Sequence, residues 1–132
     1  MEENRGTKSY RDLLAWKKAI DLVEQVYHLT QPWPKEEQYG LTSQIRRAAV
    51  SIPSNIAEGQ GRMTKGEFAQ FLGHARGSVH EVETQLEIAA DLGFITRDRV
   101  SEITNQAGEV ARILNGLIDS IEIKSKKAGA GK

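Results

Sequence analysis

The side chains with most capacity for chemistry cluster in Ser51-Ile-Pro-Ser-Asn-Ile-Ala-Glu-Gly-Gln-Gly-Arg62. Gly59-Gln-Gly-Arg62 invites comparison with a phosphate loop. A dinucleotide fingerprint needs G-x-G-x-x-G between a strand and a helix, and a P-loop needs a Gly-Lys-Ser/Thr ending in that same setting. The third glycine, the Lys-Ser/Thr pair and a preceding strand pattern are all missing. Metal chemistry fares no better. His80-Glu-Val-Glu-Thr84 approaches H-E-x-x-H, but Thr84 stands where the second zinc ligand belongs. Di-iron bundles use Glu-x-x-His on two helices, and the residues three before His74 and His80 are Phe71 and Gly77. His28 is far from both in sequence. The chain has no cysteine, which excludes disulfides, thiolate metal sites and thiol nucleophiles. The expectation is a protein with no catalytic residues, no cofactor and no metal.

The elements that must position these residues are helices. Apolar residues recur at steps of three and four in four segments, and none alternates as a strand would. Leu13, Trp16, Ile20, Val23 and Tyr27 mark the first segment, which Gln31-Pro-Trp-Pro34 ends. Leu41, Ile45, Ala48, Ile52 and Ile56 mark the second. Thr64 and Glu67 form a capping box before the third, whose stripe runs Phe68, Leu72, Ala75, Val79, Val82, Leu86 and Ala89. Thr96 is the predicted N-cap of the fourth, with Val100, Ile103, Ala107, Val110, Leu114, Leu117 and Ile121 on its seam. The spacing predicts helices over 10–29, 35–60, 64–92 and 97–122, in an all-α, antiparallel up-and-down four-helix bundle. Residues 1–9 read as a flexible N-terminus and 123–132 as a disordered Lys/Gly-rich tail.

On such a helix, at about 100° per residue, Gln44, Ser51, Asn55, Glu58 and Arg62 share one flank of the second apolar face. Ser78, Glu81 and Gln85 lie on a matching flank of the third helix. The expected role is a half-buried polar network joining the two helices, and the competing reading is a ligand pocket. Pro53 predicts a kink, and Gly59 and Gly61 are read as releasing the chain from one helix into the next. Trp16, Tyr27, Phe68 and Phe71 are read as core; Trp33 and Tyr39 as freer.

Two surface features stand out. Gly66, Ala69, Gly73, Gly77 and Thr84 form a small-residue stripe roughly opposite the core face of the third helix. Each interior glycine costs about 0.8–1 kcal/mol relative to alanine, so the stripe suggests a subunit interface where another backbone approaches. Arg46, Arg47, Arg76 and the tail lysines Lys124, Lys126 and Lys127 are candidate nucleic-acid contacts; the competing reading is a solvated face of mixed charge. Lys+Arg and Asp+Glu both number 18 in the 132 residues, so no global charge steers the chain towards a polyanion. No apolar run approaches the roughly 18 residues of a membrane span. The opening MEENRGTKSY lacks the apolar core of a signal peptide, so the expected location is the cytoplasm.

Gly40-Leu-Thr-Ser-Gln-Ile-Arg-Arg-Ala48, Ser51 to Gly59, Gly61-Arg62, Phe71-Leu72 and Glu83-Thr-Gln-Leu86 together resemble the bacterial 23S ribosomal RNA intervening-sequence proteins, from about Tyr10 to Ile121. The resemblance implies a four-helix bundle assembled as a homopentamer, and carries no catalytic residues across. The bundle is also similar, in fold and assembly, to the accessory proteins of diversity-generating retroelements, which work with a reverse transcriptase and RNA. That likeness supplies the alternative expectation of an RNA-binding accessory protein.

Overall fold

The structure, a computed structural model, describes the backbone of residues 10–130 and the side chains of residues 12–122. Four helices follow one another: α1 (Tyr10–Thr30), α2 (Leu41–Gln60), α3 (Lys65–Asp91) and α4 (Arg97–Ala130). No strand occurs among the described residues. Each helix packs on its sequence neighbours and α1 closes the ring on α4, giving an up-and-down bundle with its most extensive contact between α2 and α3.

The helix ends follow local chemistry. Thr64 Oγ1 accepts the Glu67 N–H at 3.1 Å and opens α3; Thr96 Oγ1 does the same for Arg99 at 3.2 Å and opens α4. At the end of α3, Phe94 N–H reaches the Ala89 carbonyl and Gly93 N–H the Ala90 carbonyl, with Gly93 at φ 81°. This is a Schellman closure, and glycine suits its left-handed position because it has no Cβ to clash. Phe94 then packs against Trp33, ring centroids 5.8 Å apart. The α1–α2 and α3–α4 connections are thereby joined at one end of the bundle.

The apolar buried faces of α2 and α3 follow the predicted stripes, and α4 differs in that Ile118 joins the core while Ile121 is half-buried. The first helix differs more. Its core face is Ala15, Ala19, Leu22, Val26 and Leu29, while Leu13, Trp16 and Tyr27 are 50%, 36% and 42% exposed. Helix α1 carries two neighbouring apolar stripes, and periodicity alone cannot rank them. Packing can: Ala15 and Ala19 allow close approach to the neighbouring helices, whereas a tryptophan at the same depth would hold them apart. Trp33, read from the sequence as freer, is 5% exposed and belongs to the core, whereas Tyr39 is 90% exposed.

Two boundaries also differ. Lys35–Glu37 forms a short 3-10 turn, and α2 begins only at Leu41, whose N–H is capped by the Glu37 carboxylate at 3.0 Å. Helix α4 continues past residue 122 to Ala130. Propagating a helix costs far less than nucleating one, and Lys124-Ser-Lys-Lys-Ala contains no breaker. Residues 1–9 lie outside the described residues, as do the side chains of Lys124, Lys126 and Lys127. Helix α2 runs unbroken through Pro53. Lys18–Glu109 at 3.1 Å and Arg99–Gln25 at 3.2 Å cross the α1–α4 seam.

Candidate functional site

The flank formed by Ser51 to Arg62 meets α3 at two points. The Ser51 and Ser78 hydroxyls lie 2.7 Å apart, and Asn55 Nδ2 donates to the Ser51 carbonyl and hydroxyl at 2.8 and 2.9 Å. One turn further, Arg62 pairs with Glu58 at 2.7 Å, and its guanidinium lies 4.5 Å from the centre of the Phe71 ring. Between these contacts the backbones come very close. A Cβ placed on Gly59 would sit 2.9 Å from both Phe68 Cδ1 and Phe71 Cβ. Gly59 is therefore a close-approach residue inside α2; only Gly61 stands at the exit. This corrects the sequence reading of Gly59.

The remaining members of the expected network part from it. Gln44, Glu81 and Gln85 line an open groove of about 530 Å³ between α2 and α3, together with Tyr39, Ser43, Arg47, Ala48 and Ser51. Gln85 Oε1 is buried and lacks a hydrogen-bond partner among the described residues. Tyr39, Ser43 and Arg47 were not grouped with this flank from the sequence. The signal was available, because Ser43, Arg47 and Ser51 are spaced by four along one edge of α2.

Of the candidate basic contacts, the three arginines go to three different places within the chain. Arg46 donates to Thr30 Oγ1 at 2.8 Å and to the Tyr27 carbonyl at 3.4 Å, and its guanidinium lies 4.5 Å from the Tyr27 ring centre. Thr30 passes a hydrogen bond on to the Val26 carbonyl at 2.8 Å. Arg46 thus closes the C-terminal end of α1, where carbonyls lack helical partners. Arg76 donates to Asn115 on α4 at 2.8 Å. Arg47 alone of the three faces the groove. Arg97, held between Glu87 and Asp91, is tied to the α3–α4 corner, and its hydrogen bond to Glu87 raises its pKa further.

The glycine stripe is open. A Cβ on Gly66, Gly73 or Gly77 would meet nothing within 4 Å; Ala69 is half-buried and Thr84 exposed. No close packing among the described residues explains these glycines. Helices α1 and α2 carry a different feature, hidden in the sequence because its α1 residues belong to an apolar stripe that reads as core. Trp16, Ile20 and Val23 of α1 face Val50, Pro53, Ser54 and Ala57 of α2 across an apolar groove of about 310 Å³, and Leu13 and Tyr27 extend the α1 row at either end. His28, His74 and His80 are all exposed, and His80 contacts Glu83 at 3.2 Å. No three potential metal ligands cluster among the described residues.

Comparison with known proteins agrees with this architecture. The family model described as 23S rRNA-intervening sequence protein matches residues 11–116. Among solved structures, a Bacteroides thetaiotaomicron protein of unknown function from the S23 ribosomal protein family is similar in fold. It has a TM-score of 0.77 and 24% identity, over 83% of this chain and 98% of that one. No curated protein matches the chain.

Proposed function

We propose that this chain, which belongs to the 23S rRNA-intervening sequence protein family, is a non-catalytic scaffold that works in the cytoplasm as a homo-oligomer. The observation that carries the reading is the exposed row Leu13, Trp16 and Tyr27 beside the α1–α2 groove. Contiguous apolar surface of this kind marks association sites in proteins that otherwise keep large side chains inside. Aromatic anchors are also the residues that dominate such interfaces. The open glycine stripe on α3 is a flat counter-surface. Two unlike surfaces, a groove and an open face, favour a heterologous contact, which closes into a ring where the rotation per subunit divides a full turn. Five is the number of subunits that the family resemblance implies.

The test is the mass in solution. Light scattering after size exclusion is expected to give a multiple of the chain mass at micromolar protein, and Trp16→Glu to shift it towards the single chain with the helix signal intact. A wild-type protein that stays monomeric at tens of micromolar refutes the proposal. The alternative, an RNA-binding accessory protein partnered with an enzyme such as a reverse transcriptase, is less supported. Arg46 and Arg76 already have partners inside the chain.

A further inference from the structure

We propose that the α2–α3 groove binds a short zwitterionic ligand, an α-amino acid or small peptide, with its carboxylate towards Arg47 and its ammonium towards Glu81. This site goes beyond the assembly reading and rests on other residues. The two walls of the groove differ in chemistry. On α2, Ser43, Gln44 and Arg47 present hydroxyl, amide and guanidinium donors. On α3, Glu81 and Gln85, one turn apart, present a carboxylate and an amide. Ser43, Gln44 and Gln85 can each donate or accept, whereas Arg47 can only donate and Glu81 only accept, so a fitting ligand carries an acceptor at Arg47 and a donor at Glu81.

The two charges are available. Arg46, Arg62, Arg76, Arg97 and Arg99 all bond to other side chains. Arg47 and Glu81 have no such partner among the described residues, although they line the same groove. They do not bridge to each other, so the space between them is left for a third group. Guanidinium–carboxylate pairing is bidentate and directional, which fits a ligand carboxylate at Arg47. Gln85, one turn from Glu81, lines the same groove, and its buried Oε1 has no hydrogen-bond partner among the described residues. At the mouth, Tyr39 offers its ring to a ligand side chain or ammonium.

The volume, about 530 Å³, falls in the range of small-ligand sites, about 300–1,000 Å³. Nucleic acid fits less well. A strand draws its affinity from several cations on its phosphates, whereas this groove offers one arginine and sets a glutamate opposite it.

The experiment uses the full-length protein labelled with nitrogen-15, reading the side-chain amide resonances of Gln44 and Gln85. The probes are glycine, tri-alanine, N-acetyl-tri-alanine, tri-alanine amide and a single-stranded oligonucleotide. Saturable shifts with glycine identify an amino-acid site; shifts with tri-alanine alone identify a peptide site. Capping either end is expected to weaken binding about tenfold, the loss of one charged contact. In Arg47→Gln the C-terminal amide should cost nothing further, and in Glu81→Gln the N-acetyl group should cost nothing further. The proposal is overturned if neither glycine nor tri-alanine gives saturable shifts at millimolar concentration. It is equally overturned if capped and free peptides bind alike, or if only the oligonucleotide saturates.

Discussion

The hydroxyls of Ser51 and Ser78 meet at 2.7 Å across the α2–α3 contact, and Asn55 donates to Ser51 from one turn further along α2. Ser78 is buried, so its hydroxyl depends on this partner. Ser51→Ala is expected to cost about 1–3 kcal/mol, the range for leaving a buried polar group unpaired. The double variant with Ser78→Ala should cost less than the sum of the two singles, because neither orphan then remains. A double-mutant cycle in urea checks this, and strict additivity would count against the pairing.

Gly59 and Gly73 make opposite predictions from the same substitution. At Gly59 the added methyl meets Phe68 and Phe71 at 2.9 Å, and overpacking of that kind costs about 1–3 kcal/mol. At Gly73 nothing lies within 4 Å. Alanine there should stabilise the isolated chain by up to about 1 kcal/mol through helix propensity. Should Gly73→Ala instead reduce the assembled mass, the stripe is part of the subunit contact. Paired thermal melts and mass measurements separate these effects.

The two tryptophans should divide stability from assembly. Trp33→Ala removes a core ring packed on Phe94 and is expected to cost about 3–5 kcal/mol. Trp16→Ala should leave the chain folded while weakening self-association. Melting curves on dilute and concentrated protein distinguish the two, since only an assembled species has a concentration-dependent midpoint.

Arg46→Ala is expected to loosen the last turn of α1, because both Thr30 and the Tyr27 carbonyl lose a donor. Faster amide exchange confined to residues near Tyr27 and Thr30 is the expected result, with a global loss of about 1 kcal/mol. Lysine should restore this only in part, since it lacks the planar group that both stacks on Tyr27 and bonds to Thr30. Full rescue by lysine argues against that geometry.

Much of the bundle is written plainly in the chain. Helices α2 and α3 each carry one apolar stripe, and Thr64 and Thr96 cap as the sequence predicts. Glu67, however, completes the capping box only as far as the Thr64 hydroxyl, at 3.3 Å, and not its backbone N–H. Helix α1 is harder because two stripes lie side by side, and the choice depends on side-chain volume at a helix contact that a sequence does not display. The burial of Trp33 is hidden in the sequence for a related reason. Its burial depends on Phe94, which is remote in the chain and comes alongside only when both connections reach the same end. The polar flank on α2 was legible as a flank, but not its division. Ser51 touches α3 while Gln44 and Gln85 border a groove, and that separation follows from helix spacing. The predicted second helix opens at residue 35, directly after the proline break, yet the Glu37 carboxylate caps Leu41 and starts the helix later.

The contrast between Trp33, enclosed beside Phe94, and Trp16, at the rim of the α1–α2 groove, equips the molecule with two native fluorophores in unlike surroundings. Emission from the enclosed indole should report whether the chain is folded. Emission from the rim indole should shift to shorter wavelength when a neighbour dries that surface. A single dilution series followed at two wavelengths could then separate disassembly from unfolding without any added label.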